Sequence, residues 1–143
     1  GNFVAKFRKD LFCDFQVVLE GLDSPNCAVL DARSERRFKG LDPEPRPGVR
    51  SGHMPNAKNL PFPEVLNGGL LKSVSELQEI FINLSLDHQD AIITSCGSGI
   101  TACILTLAAD VAGFSRLSVY DGSWAEWGLP GKLPVVSDLT NNA

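Results

Sequence analysis

Apolar residues recur along this chain with two periods, and the alternation of those periods sets the expected architecture. Cys27-Ala28-Val29-Leu30-Asp31 and Ala91-Ile92-Ile93-Thr94-Ser95 are short, nearly continuous apolar runs that end in a polar residue. That length and composition fit strands buried on both faces. Leu117-Ser118-Val119-Tyr120 reads the same way, ahead of a turn at Asp121-Gly122. Two weaker strands are expected: 3–8, where apolar and polar residues alternate, and 57–60, closed by Pro61 and Pro63.

Between the strands the pattern is helical. Ser73-Val74-Ser75-Glu76 has the form of a capping box, and Leu77, Ile80, Phe81 and Leu84 then fall on one face. A second helix is expected over 99–112, stopped by Gly113, and short ones over 15–19, N-capped by Asp14 and ending near Gly21, and over 123–127. The stretch 41–54 is rich in proline and glycine and predicts a long connecting loop. Strands alternating with helices imply an α/β fold, with a central parallel sheet and helices on both faces. One domain over 1–135 is expected, followed by a tail over 136–143 that is loose from about Leu133 onward.

Composition narrows the function. A chain of 143 residues fits one domain, and 43% hydrophobic with 21% charged residues is ordinary for a globular one. A net charge of −4 without a long basic run argues against nucleic acid as partner. No apolar stretch is long enough to span a bilayer, and 1–10 carries no signal-peptide pattern, so no membrane partner is expected. Opening on Gly1 rather than Met suggests a processed or excised piece. The four cysteines, 13, 27, 96 and 103, form no C-x-x-C pair and no zinc spacing, so neither metal nor cofactor is expected. Cys13 and Cys27 read as core thiols, and a reducing, cytoplasmic compartment is the simplest fit.

The most chemical segment is Cys96-Gly97-Ser98-Gly99-Ile100-Thr101-Ala102. A strand delivers a thiol to a glycine-containing loop at the start of a helix. Loop amides and the helix dipole both favour thiolate, which is the nucleophilic form. Asp31 ends a strand as Cys96 does, and in open α/β sheets ligands bind beyond such ends. The plain alternative is a buried cysteine in an ordinary strand–helix turn.

Four segments together resemble the rhodanese family of sulfurtransferases: 29–33 (Val-Leu-Asp-Ala-Arg), 52–57 (Gly-His-Met-Pro-Asn-Ala), 96–102 and 120–124 (Tyr-Asp-Gly-Ser-Trp). Their order and spacing extend the resemblance from about residue 3 to 135. The loop is similar to the version that uses 3-mercaptopyruvate; thiosulfate-preferring relatives carry basic residues where this chain has Gly97 and Ser98. Arg37-Phe38-Lys39-Gly40 followed by Pro43-Glu44-Pro45-Arg46 extends that likeness.

The resemblance implies a rhodanese-like fold and sulfur transfer through a Cys96 persulfide, with Ser98 as a second catalytic residue. It further implies that Arg37 and Arg46 hold the donor's carboxylate and keto oxygen, and that Gly97, Gly99, Ile100 and Thr101 form the cradle. A thiol such as thioredoxin or glutathione would accept the sulfur. Such enzymes have two rhodanese-like halves, and this chain resembles the second. The implied partner is therefore a missing N-terminal half, whose acid and histidine would work with Ser98, and the isolated domain is expected to be weakly active.

Plainer roles stand beside these. Arg37 and Arg46 also read as solvated loop charges, His53 as a hydrogen-bonded loop anchor, and His88 as a surface residue. Asp31 and Arg33 read as a structural pair, Trp124 and Trp127 as core or rim aromatics, and Cys103 as a buried packing thiol or a resolving one. Cysteine-dependent phosphatases of the same fold need an arginine six positions after the cysteine, and position 102 is alanine. Transfer from thiosulfate, arsenate reduction and a binding module with little activity remain as alternatives.

Overall fold

The computed structural model describes residues 1–138. Seven strands form in chain order: β1 (Phe12–Cys13), β2 (Cys27–Asp31), β3 (Lys58–Asn59), β4 (Leu66–Asn67), β5 (Leu70–Leu71), β6 (Ala91–Ser95) and β7 (Leu117–Tyr120). Five of them make a parallel sheet in the order β1-β7-β6-β2-β3, while β4 and β5 pair as a small antiparallel hairpin. The helices are α1 (Phe15–Leu22), α2 (Glu35–Phe38), α3 (Val74–Asn83), α4 (Ala102–Ala112) and α5 (Ser123–Trp127).

The two-residue period of the strands divides the interior into two cores. Ala28, Leu30 and Ile92 face one side, where Leu77 and Phe81 of α3 and Leu105, Ala108 and Ala109 of α4 cover them. Val29, Ile93 and Tyr120 face the other, against Val18 and Leu22 of α1 and Trp124 and Trp127 of α5. Helices thus cover both faces, as the alternating pattern predicts. Ser73 closes the expected capping box, its hydroxyl accepting from the Glu76 N–H while the Glu76 carboxylate accepts from the Ser73 N–H. Among the described residues no helix is long and apolar enough to cross a membrane.

Several expectations are corrected. Residues 3–8 form no strand; Phe3, Val4 and Phe7 lie exposed, and the edge of the sheet is instead β1, in register with Val119 and Tyr120. The first helix runs past the expected 15–19 and ends at Leu22, one residue beyond the Gly21 near which it was expected to stop. Gly21 is there for close approach: a Cβ would sit 3.0 Å from Cys27 Sγ and 3.1 Å from Ile93 Cδ1. The fourth helix starts at Ala102 rather than residue 99, because 97–101 curl around the cysteine. The tail is not loose from Leu133: Val136 bridges His53 in antiparallel fashion, and the Asp138 N–H donates to the Lys39 carbonyl. The last part of that expectation, 139–143, lies outside the described residues.

Candidate active site

Cys96 immediately follows β6. From β2 the chain moves outward to β3, and from β6 it moves the other way to β7, so the crevice between β2 and β6 is the topological switch point. The two strands stay in register to their last residues, Asp31 and Ser95. Cys96 therefore emerges where an open α/β sheet has space for a ligand.

The loop after Cys96 turns its amides toward the sulfur. The Gly99 N–H donates to Cys96 Sγ at 3.1 Å. Gly99 has φ +91, and a Cβ there would stand 2.8 Å from the Asp121 carbonyl oxygen, so only glycine fits both backbone and neighbour. Cys96 is only 2% exposed. Burial alone would push its thiol up, but the Thr101 hydroxyl and the N–H groups of Ser98, Ala102 and Gly99 outweigh it and leave Cys96 below its ordinary value. Cys13 and Cys27 have no such cradle, and burial pushes both up.

These opposite directions predict a selective labelling. Iodoacetamide should modify Cys96 ahead of Cys13 and Cys27 at pH 7, with a rate that inflects at lower pH than theirs. Peptide mapping across pH 5–10 measures it, and an inflection no lower than that of the other two would remove the cradle's electrostatic role.

A second layer fixes the loop from outside. The Cys96 N–H donates to Ser123 Oγ at 3.1 Å, and the Ser123 hydroxyl donates to the Tyr120 carbonyl at 2.9 Å. The N–H groups of Trp124 and Ala125 donate to the carbonyls of Cys96 and Gly97, each at 2.9 Å. Ser123 is wholly buried and holds φ +49, a strained conformation for a residue with a Cβ. Ser123→Ala strands a buried donor and a buried acceptor at once, so unfolding in urea should show a loss of about 2 kcal/mol. A change within about 0.5 kcal/mol would show the hydroxyl to be dispensable.

The facing wall comes from the segment after β2. Arg33 forms a fork onto Asp31, with Nη2 to Oδ2 at 2.6 Å, and is 1% exposed in its side chain. It also reaches Glu44 Oε1 at 2.9 Å and the Gly52 carbonyl at 2.8 Å, and its guanidinium lies 4.2 Å from the Trp124 ring centre. Glu44 turns its other oxygen to Arg37, with Nη2 to Oε2 at 2.6 Å. Arg37, Glu44, Pro45, Arg46, Val49, Gly97, Ser98 and Ala125 enclose a cavity of about 210 Å³.

The structure thus brings Arg37 and Arg46 to the same cavity as Gly97 and Ser98. Cys96, Gly99, Ile100 and Thr101 do not line it. Gly99 and Thr101 face the sulfur instead, and Ile100 is 75% exposed. His53 is held by its Nδ1 at 2.8 Å from the Phe38 carbonyl and by stacking on the Phe38 ring, as a loop anchor should be. His88 is exposed, Trp124 and Trp127 are core residues, and Asp31–Arg33 is a buried ion pair. Cys103 is not a buried packing thiol: it is exposed, and its S–H donates to the Gly99 carbonyl at 3.4 Å.

Two residues escaped the sequence reading of the site. Glu44 stood only as a letter in the Pro-Glu-Pro-Arg motif, and because Glu35 and Asp42 lie among the same basic residues, nothing in the sequence set it apart. Ser123 stood only as a letter in the 120–124 segment, and its partner Cys96 is 27 residues away.

A family profile described as "Rhodanese-like domain" matches residues 14–129. The chain belongs to the rhodanese family. Among similar rhodaneses, the 3-mercaptopyruvate sulfurtransferase of Mus musculus is 46% identical over 127 residues, 88% of this chain and 43% of that protein. The thiosulfate/3-mercaptopyruvate sulfurtransferase 1, mitochondrial, of Arabidopsis thaliana is 38% identical over 137 residues, 95% of this chain and 36% of that one. A similar solved structure is the yeast mitochondrial complex I sub-stoichiometric sulfur transferase subunit, seen by cryo-EM. It superposes with a TM-score of 0.81 at 39% identity, over 95% of this chain and 49% of that one. This rhodanese chain spans less than half the length of the curated relatives it matches.

Proposed function

We propose that this rhodanese domain transfers sulfur from 3-mercaptopyruvate to a thiol acceptor through a persulfide on Cys96. The carrying observation is the amide-cradled, lowered thiol of Cys96, whose loop residues Gly97 and Ser98 also wall a cavity lined by Arg37 and Arg46. The thiolate attacks the donor's sulfur. The carbon–sulfur bond breaks, its electron pair passes to carbon as the enolate of pyruvate, and a proton taken up there releases pyruvate. Cys96 is left as a persulfide, in the cradle that held the thiolate. A second thiol, such as thioredoxin or glutathione, takes the outer sulfur and returns Cys96 as thiolate.

In this reading Arg37 and Arg46 orient the donor's carboxylate and keto oxygen, a task suited to planar guanidinium groups. The Ser98 hydroxyl, exposed at the loop, assists proton delivery to the enolate with groups from a second rhodanese-like half. Four cysteines without a disulfide fit a reducing compartment such as the cytoplasm.

Intact-mass spectrometry after brief exposure to 3-mercaptopyruvate tests the reading, with thiosulfate in a parallel tube. One added sulfur, removable by cyanide and mapped to Cys96, is the expected result. Loading from thiosulfate alone would reassign the donor, and loading from neither, by the domain joined to its partner half, would overturn the reading.

A further inference from the structure

We propose that Glu44 is a charge filter that fits the donor cavity to a monoanion and against a dianion. The inference rests on the reading of this cavity as the donor site. The Glu44 side chain is 4% exposed and is one of the eight residues around the cavity. Its oxygens are held 2.9 Å from Arg33 and 2.6 Å from Arg37, so the carboxylate cannot swing out into solvent without breaking two ion pairs.

The charge on the cavity wall follows directly. Arg37 and Arg46 contribute two positive charges and Glu44 one negative charge, which leaves one net positive charge. Arg37 is compensated by Glu44, whereas Arg46 makes no ion pair among the described residues. One uncompensated guanidinium matches one carboxylate. A second negative charge on the donor would find no cation of its own and would lie close to the fixed Glu44 carboxylate.

Glu44 also blocks the simplest way of adding a cation. It pins Arg37 against the loop, where a Cβ on residue 97 would lie only 3.1 Å from Arg37 Nη2. Selectivity against dianions therefore comes from an acid placed among arginines, as well as from the neutral loop.

The test measures second-order rates of Cys96 sulfur loading from 3-mercaptopyruvate and from thiosulfate, by rapid quench and intact mass, in the full protein. Glu44→Gln should raise the thiosulfate-to-mercaptopyruvate ratio by about tenfold, and added salt should shrink that gain because its origin is Coulombic. Ala125→Lys places a cation on the same wall while leaving both Glu44 ion pairs in place, so it should move the ratio in the same direction. That second variant decides the matter if Glu44→Gln folds poorly. A ratio unchanged in Ala125→Lys, or parallel losses with both donors in a folded Glu44→Gln, would overturn the filter while leaving the donor site standing. Wild-type protein that loads from neither donor, yet is still labelled at Cys96 by iodoacetamide, would overturn the donor site and the filter together.

Discussion

Cys96→Ser is expected to abolish sulfur loading, with a fall of at least about 10³-fold to the level of background chemistry. The substitution preserves the shape of the side chain and an atom that can accept the Gly99 N–H. It does not preserve nucleophilicity. The cradle that brings a thiol below its ordinary value cannot ionise an alcohol, whose proton is far more tightly held, and oxygen forms no stable analogue of the persulfide. The fold should barely change, because the Cys96 N–H to Ser123 Oγ and the Cys96 carbonyl to the Trp124 N–H are contacts of its backbone, which the substitution leaves in place. Matched urea midpoints for the two proteins would confirm that chemistry alone was removed. Residual loading in a folded Cys96→Ser would mean that another thiol carries sulfur, and exposed Cys103 would be the first to map.

The largest expected effect on stability is at a residue that touches no donor. Arg33→Met should destabilise the domain by about 3–5 kcal/mol, the usual penalty for breaking a buried ion network from one side. Asp31 is 2% exposed and would keep only the backbone N–H of residue 33 as a close donor; Glu44 would keep only Arg37. The Gly52 carbonyl would lose its partner, and Trp124 the guanidinium over its face. Removing Asp31 together with Arg33 should recover part of the loss, since the stranded carboxylate accounts for much of it. Arg33→Lys keeps the charge but not the fork, so it should fall between wild type and Arg33→Met. Urea unfolding of the series measures these differences, and an Arg33→Met midpoint equal to wild type would show that the network contributes nothing net.

What the sequence disclosed follows the range of the interactions involved. β2 and β6 were legible because five consecutive residues carry their pattern, and α3 because Ser73 and Glu76 sit three apart. The βα turn at Cys96 was legible as chemistry from composition alone. Alternation at 3–8 misled because a strand needs a neighbour, and β7 pairs with residues 12 and 13 instead. The start of α4 was misplaced because sequence cannot tell a helical first turn from a loop that spends the same amides on sulfur. Exposure of Cys103 was missed for a related reason: its helix packs inward through Ala102, Leu105, Ala108 and Ala109, which turns position 103 outward. Glu44 and Ser123 act through partners 11 and 27 residues away, and only the fold closes those distances.

The outer hydrogen bonds of the cysteine loop bear on how such chemistry can be moved between proteins. Trp124 and Ala125 hold the carbonyls of Cys96 and Gly97, and Ser123 holds the Cys96 N–H, so the orientation of the loop's peptide planes is imposed from the β7–α5 corner. Grafted alone onto another strand–helix turn, residues 96–102 would be free to rotate those planes and turn carbonyls toward the sulfur. Reactivity here belongs to two segments jointly, and a transplant would have to carry both.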